Sequence, residues 1–225
     1  MTTHATTTIS GDLIADVRAS FELSLDYVLK RKGVRHGING YTPRAFSAYV
    51  ASVASIEAFL NEAFLGTMPQ VIFPDSPLWT FREDTLDRLD IREKLMIIPK
   101  LLFDVSFERD AQPYQDFNLL VKARNDIVHF KMQVRSPNYL ADLSQRGIAL
   151  TAENKVNADY SWPSKLSCTE GIRWAHNTAC KIIHRLVGFV PEGKPLFARH
   201  MAGNFVEIPD QYVQGWFKEH GFVQD

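Results

Sequence analysis

The sequence predicts an all-α protein, a bundle of four to five helices with an irregular insertion and a C-terminal extension. Apolar residues recur three and four positions apart over several long segments, which is the period of a helix with one buried face. No segment alternates apolar and polar residues as a half-buried strand does. With 45% hydrophobic residues among 225, the chain is long enough to bury the core of one domain.

The first helix is predicted from residue 10 to about residue 32. Ser10 is the expected N-cap and Asp12 lies in the first turn, where an acidic side chain complements the helix dipole. The Thr-rich residues 1–9 have no apolar core, and we expect them to be disordered. The predicted buried stripe of this helix is Leu13, Ile14, Val17, Phe21, Leu25, Val28 and Leu29.

The second helix is predicted to open at Thr42-Pro43 and to end at Gly66, a residue typical of helix C-termini. Residues 67–82 contain three prolines and are predicted to form a loop. A third helix is expected at 85–103, with a kink or a break at Pro99, because proline removes a helical hydrogen bond.

A fourth helix is predicted at 113–132. Residues 134–166 form the irregular insertion, with a short helix near 138–146. A fifth helix at about 169–189 completes a domain that spans residues 10–190. Its buried stripe is predicted to be Ile172, Ala175, Ala179, Ile182, Ile183 and Leu186.

The C-terminal extension, residues 191–225, mixes proline and glycine with aromatic residues. Tyr212, Trp216 and Phe217 predict a short amphipathic helix that docks on the bundle.

The most informative segment is Arg124-Asn125-Asp126-Ile127-Val128-His129 in the fourth helix. Arg124 falls on that helix's apolar stripe, and a guanidinium cannot lose its proton to ease burial. We therefore expect an anionic partner for Arg124 or a polar cleft around it. His129 lies one turn after Asn125, on the same face. An arginine and a histidine at one cleft can stabilise oxyanion charge and move protons on a phosphate. The apolar stripe consists of Phe117, Leu120, Val121, Ile127 and Val128.

Glu57 is misplaced on the second helix in the same way, between Val53 and Leu60 of its apolar stripe. Two misplaced opposite charges predict an inter-helix ion pair between Glu57 and Arg124, with Glu62 as the alternative partner. The competing interpretation is purely structural: the ion pair locks the helix register and His129 is an ordinary satisfied histidine.

Other polar groups leave alternatives open. Lys30, Arg31 and Arg35 belong to the densest basic cluster, which either guides RNA or is a solvated helix end. Asn118 and Lys122 share the side of Asn125 and His129, and either extend a polar cleft or form an exposed face.

Charge and motif content exclude several classes of function. A net charge of −1 argues against extended tracking of duplex DNA. The two cysteines have no metal-ligand spacing, and His176 and His184 are too far apart for a typical zinc helix, so no metal or cofactor is expected. No apolar run is long enough to span a bilayer, and we expect a cytoplasmic protein with no membrane partner.

The Arg124–His129 segment resembles the signature of the HEPN superfamily (higher eukaryotes and prokaryotes nucleotide-binding domain). That signature is an arginine, a polar residue directly after it, and a histidine after four to six intervening residues. Residues 55–62 resemble an early core helix of prokaryotic members, and residues 113–131 resemble the motif helix. The resemblance covers residues 43–190 and leaves the insertion and the extension unexplained.

The resemblance implies a helical bundle and metal-independent RNA cleavage, often within toxin–antitoxin or other defence systems. It implies a two-fold homodimer with RNA as substrate and, in such systems, an antitoxin protein as partner. In this interpretation His129 transfers protons, Arg124 holds the scissile phosphate, Asn125 orients the phosphate or His129, and Glu57 fixes Arg124. Many members have lost activity, so a non-catalytic module that binds nucleotide, RNA or protein is the alternative.

Overall fold

A computed structural model describes residues 8–30, 42, 44–81, 83–130, 136–150, 162–194 and 197–221. Over these residues the fold is all-α, as predicted, with no β-strand. The α-helices are, in chain order, α1 (Ile9–Lys30), α2 (Ala45–Phe64), α3 (Thr67–Ile72), α4 (Glu83–Arg88), α5 (Ile91–Phe103), α6 (Tyr114–Val128), α7 (Tyr139–Gln145), α8 (Trp162–Leu166), α9 (Thr169–Gly188), α10 (Ala198–Met201) and α11 (Asp210–Glu219). The described residues also include two short 3-10 helices, Pro77–Thr80 and Ala202–Asn204.

Helix α2 lies at the centre of the bundle and packs against α1, α5, α6 and α9. The buried residues of these helices form one continuous apolar core. All six residues of the predicted α9 stripe are inaccessible to solvent, which confirms the periodicity argument for that helix. None of the helices in the described part of the chain has the length and apolar character needed to cross a bilayer.

The beginning of α1 differs from the prediction. The helix starts at Ile9, and the Thr8 hydroxyl accepts the Gly11 N–H at 3.1 Å, so Thr8 rather than Ser10 caps it. Ser10 is buried, and its hydroxyl donates to Glu62 Oε2 at 2.6 Å. Glu62 also accepts the Ile9 N–H at 2.8 Å, which supplies a carboxylate to the free N–H groups at the helix start. Of the residues predicted to be disordered, 1–7 lie outside the described residues.

The ends of α2 also differ from the prediction. The helix begins at Ala45, three residues after Thr42, and its C-cap is Leu65. Gly66 is instead the extended N-cap of α3, which together with the 3-10 helix Pro77–Thr80 occupies the predicted loop 67–82. Prolines that were expected to break structure sit near the starts of these short helices, where a missing N–H costs nothing.

The predicted third helix is two helices, and the break is not at Pro99. It lies at Asp90, whose carboxylate accepts the Arg92 N–H at 2.9 Å while the Glu93 carboxylate accepts the Asp90 N–H at 2.9 Å. This capping box forms the N-terminus of a separate helix, α5. Pro99 lies inside α5, which continues to Phe103. A reciprocal cap therefore outweighed the proline as the signal for a boundary.

The insertion and the extension both dock on the bundle. Helix α7 occupies the predicted short helix at 138–146, and α8 is a helix that the sequence reasoning missed. Helix α11 confirms the predicted amphipathic helix, with Phe217 buried and Tyr212 38% exposed. The segment before it is tied to α9, since the Asn177 amide both donates to and accepts from the Ile208 backbone, at 2.9 and 2.8 Å.

Candidate functional site

Arg124 lies at the edge of the core. Its neighbour Ala123 is inaccessible to solvent, and Arg124 itself is half-buried on α6. The Arg124 Nε is shielded from solvent and has no hydrogen-bond partner among the described residues. Within the same part of the chain, no carboxylate forms an ion pair with Arg124. The anionic partner expected for Arg124 is therefore not found in the residues that the structure describes.

Glu57 does not pair with Arg124, so that prediction is wrong. Its Oε1 accepts from Lys94 Nζ at 2.8 Å, across the contact between α2 and α5. Lys94 is 2% exposed, and a buried ammonium needs a carboxylate more than a half-buried guanidinium does. The signal was present in the sequence, because Lys94 lies three residues after Ile91 and four before Ile98 on the apolar face of α5. Because Glu57 pairs with Lys94, the interpretation that a Glu57–Arg124 ion pair locks the helix register is also wrong.

Asp90 is a carboxylate that lies close enough to Arg124 for their charges to interact. Hydrogen bonds from Arg92, one of them from Nε to Oδ1 at 2.9 Å, lower the pKa of Asp90, and the charge of Arg124 adds a smaller effect in the same direction. Asp90 is thus already engaged by Arg92 and by the start of α5. No hydrogen bond joins the terminal N–H groups of Arg124 to another described residue. Sequence reasoning missed Asp90 as a neighbour because it assigned that residue to the middle of a helix.

The motif straddles the end of α6. The helix ends at Val128, and His129 is its C-cap, with a backbone N–H that donates to the Asn125 carbonyl oxygen at 2.9 Å. The predicted continuation to residue 132 is wrong, and Val128, expected in the core, is 52% exposed. Asn125 is half-buried and His129 is exposed. The structure therefore places Arg124 at the core boundary and His129 at the surface, five residues further along the chain.

Asp126 fastens this helix end to the insertion. Its Oδ2 accepts the Tyr139 hydroxyl proton at 2.8 Å, which joins the last turn of α6 to the first residue of α7. Burial raises the pKa of the Tyr139 phenol above its ordinary value, and the hydrogen bond to Asp126 acts in the same direction. This hydrogen bond therefore connects the end of α6, which His129 caps, with the start of α7.

The remaining candidates are placed unevenly. Asn118 is half-buried and Lys122 is exposed, on the side of α6 that also carries Asn125. Lys30 ends α1, but its side chain lies outside the described residues, as do Arg31 and Arg35. Whether the basic cluster guides RNA stays a prediction.

No group of three or more histidine, cysteine, aspartate or glutamate side chains in the described residues is arranged to hold a metal ion. Cys168 and Cys180 are both buried, and neither forms a disulfide.

The arrangement can act on an anionic group. The Arg124 guanidinium offers a fixed charge and N–H donors at the edge of a low-dielectric core, where a hydrogen bond to an oxyanion is stronger than in bulk water. The exposed His129 imidazole can accept and return a proton. Comparison of the chain with protein-family models, with curated proteins and with solved structures gives no match.

Proposed function

We propose that this protein is a metal-independent endoribonuclease of the HEPN type, in which Arg124 holds the scissile phosphate and His129 transfers protons. The observation that carries the proposal is the half-buried Arg124, which has no carboxylate partner among the described residues and precedes the exposed His129 by five residues at the end of α6. A guanidinium that packing holds in place and no acid neutralises is suited to an external oxyanion.

The reaction that fits these groups is transfer of the phosphoryl group to the ribose 2′-hydroxyl. An imidazole takes the 2′-hydroxyl proton, the 2′-oxygen attacks phosphorus, and the bond to the 5′-oxygen breaks as that oxygen receives a proton. The products are a 2′,3′-cyclic phosphate and a 5′-hydroxyl. Arg124 stabilises the added negative charge on the phosphate oxygens in the transition state.

A homodimer would complete the site. One histidine cannot be both base and acid in a single step, and His129 is open to solvent in the single chain. A two-fold contact that brings together the α6 ends of two copies would supply two imidazoles and exclude water from the phosphate. The resemblance extends the proposal to a cytoplasmic toxin–antitoxin or defence system, with an antitoxin protein as a further partner.

The second candidate is a non-catalytic module that binds RNA or nucleotide through Arg124. It is favoured by the state of His129, whose side chain is exposed and has no hydrogen-bond partner within the described residues. A catalytic imidazole is ordinarily oriented by a hydrogen bond to its second nitrogen. Binding through Arg124 alone needs no such orientation.

The deciding experiment is RNA cleavage in EDTA, on total RNA and on transfer RNA, by the parent protein and by His129→Ala. We expect at least about a 100-fold loss in His129→Ala, because it removes a general acid or base. His200→Ala is the matched control, since His200 is also exposed and also lies beside a phenylalanine, Phe197, with ring centroids 5.3 Å apart.

Cleavage by the parent and by His200→Ala, with 2′,3′-cyclic phosphate ends, would support the nuclease. Undiminished cleavage by His129→Ala would reject it. No cleavage by the parent, combined with RNA binding that Arg124→Gln weakens, would favour the binding module.

A further inference from the structure

An aromatic pair directly follows His129. Phe130 is 43% exposed, and its ring centroid lies 5.9 Å from that of Trp162, the first residue of α8, with the ring planes at 58°. Trp162 is half-buried. Val128, on the other side of His129, is also exposed. Exposed apolar side chains thus flank His129 in the chain, and exposed apolar groups beside polar ones are typical of a binding surface.

The other tryptophans are engaged elsewhere. Trp174 is 8% exposed and packs against Tyr49 in the core. Trp216 stacks on His220 with ring centroids 4.3 Å apart. Trp79 donates its Nε1 proton to the Phe73 carbonyl oxygen at 2.6 Å. Trp162 differs in that its ring partner is a surface phenylalanine adjacent to the proposed site.

We propose that Phe130 and Trp162 form a stacking subsite for one unpaired nucleobase of an RNA strand, beside the phosphate held at Arg124. Sequence-tolerant stacking on exposed aromatic rings is how proteins engage single-stranded nucleic acid. Because the two rings are inclined, a base that lies on one ring meets the edge of the other, which is a favoured aromatic arrangement. The assignment of the strand's phosphate to Arg124 and His129 rests on the proposed function.

The subsite selects single-stranded RNA over duplex. In a helix both faces of each base are covered by its neighbours, so a base reaches Phe130 only where the strand is unpaired. Two described residues of the insertion, which the resemblance leaves unexplained, then contribute to the site. Trp162 supplies a ring, and Tyr139 donates a hydrogen bond to Asp126 at the end of α6.

The test is equilibrium binding of the full-length protein to a short single-stranded 2′-O-methyl oligonucleotide. The same strand is also tested with one base removed at each position in turn. For Phe130→Ala we expect affinity for the intact strand to fall at least about fivefold, the size of a lost stacking contact. For one of the abasic strands, Phe130→Ala and the parent should have the same affinity, because that strand already lacks the base that stacks on Phe130. Phe130→Tyr should bind as the parent does. Phe197→Ala is the matched control, because Phe197 is 45% exposed on another surface.

A second readout follows Trp162 directly. Stacking of a base should quench tryptophan fluorescence in the parent. Trp162→Phe keeps an aromatic ring, so it should retain binding and lose most of that quenching. Unchanged quenching in Trp162→Phe would place the contact at another tryptophan and overturn the proposal.

Other outcomes overturn the subsite as well. These are failure of the parent to bind the intact strand, equal weakening of intact and abasic strands by Phe130→Ala, and loss of a dimer in Phe130→Ala without any dependence on the base. The last would assign the patch to a second copy of the chain.

The outcome is separable from that of the nuclease, because a 2′-O-methyl strand cannot be cleaved through its 2′-oxygen. Base-dependent binding without RNA cleavage in EDTA keeps the subsite and rejects the nuclease. Cleavage of RNA with base-independent binding does the reverse.

Discussion

Two half-buried arginines lie on two long helices of the same core and differ in their contacts with acidic side chains. Arg173 on α9 donates to the Glu170 carboxylate on its own helix, at 2.8 Å from Nε, and to Asp210 at the start of α11. Arg124 on α6 has neither kind of partner in the described residues. Among the described residues, acidic side chains therefore neutralise Arg173 and leave Arg124 without an ion-pair partner.

The surroundings of Arg173 reinforce the contrast. A cleft of about 290 Å³ between α6, α9 and α11 contains three basic and three acidic side chains. These charges pair within the chain, as in the 2.8 Å contact between Arg146 and Asp116. A cleft of balanced, mutually paired charges stabilises the docking of the insertion and the extension.

The largest expected effect separates the two arginines by activity. Arg124→Gln should lower the kcat/KM for RNA cleavage by at least about 100-fold, because it removes charge from the transition state. The free energy of unfolding should change by less than about 1 kcal/mol, since no buried acid is left unpaired. Cleavage rates and urea denaturation of the same preparation check both. A variant that is fully active, or one that unfolds, would show that Arg124 has a structural role like that of Arg173.

A second test concerns the pH dependence of the free energy of unfolding, to which His176 on α9 contributes. Burial lowers the pKa of His176 to about 4; a hydrogen bond with Asn177 opposes the shift and the charge of Arg18 adds to it. Between about pH 6.5 and pH 4 the unfolded chain therefore binds a proton that the folded chain does not. The free energy of unfolding should fall by up to about 3 kcal/mol as the pH decreases through this range. Above about pH 6.5, His176 should cause no such loss of stability.

Urea denaturation at a series of pH values measures this dependence. His176→Gln should flatten the profile by the same amount, whatever its stability at neutral pH. A parent and a variant with parallel profiles would show that His176 takes up its proton in the folded state.

The third test is the counterpart of the first. Arg173→Gln should lower the free energy of unfolding by about 2 kcal/mol, because the partly buried Glu170 loses an ion-pair partner and α11 loses a tether. Cleavage by the folded variant should equal that of the parent. Thermal or urea denaturation measures the first effect, and specific activity below the transition measures the second. A large loss of activity in a stable Arg173→Gln protein would contradict the division between the two helices.

The smallest effect tests the exchange of partners at Glu57. A double-mutant cycle with Glu57→Gln and Lys94→Met should give a coupling of about 1–2 kcal/mol, since the ammonium is buried against that carboxylate. The cycle with Glu57→Gln and Arg124→Gln should give less than about 0.5 kcal/mol. Unfolding free energies of the single and double variants provide both values. Reversal of the two couplings would restore the Glu57–Arg124 pair.

Much of the fold follows from local pattern. Apolar spacing predicts the α9 stripe and the docking helix α11, because residues three and four positions apart in the chain lie on one face of a helix. The errors fall at boundaries. The break at Asp90 depended on a reciprocal cap with Glu93, which is visible in the sequence but was outweighed by Pro99. The end of α6 at Val128 had no such local sign.

The sequence by itself determined that the chain is helical, where its long helices bury apolar residues, and that Arg124, Asn125 and His129 follow one another on a single helix end. Only the tertiary structure decided that Lys94 takes Glu57, that Asp90 lies near Arg124, and that Phe130 and Trp162 meet beside an exposed imidazole. The reason is physical. Helical hydrogen bonds join residues four apart, so their pattern is local. The partner of a charge depends on how far one helix is rotated and shifted along another, which the whole core fixes at once.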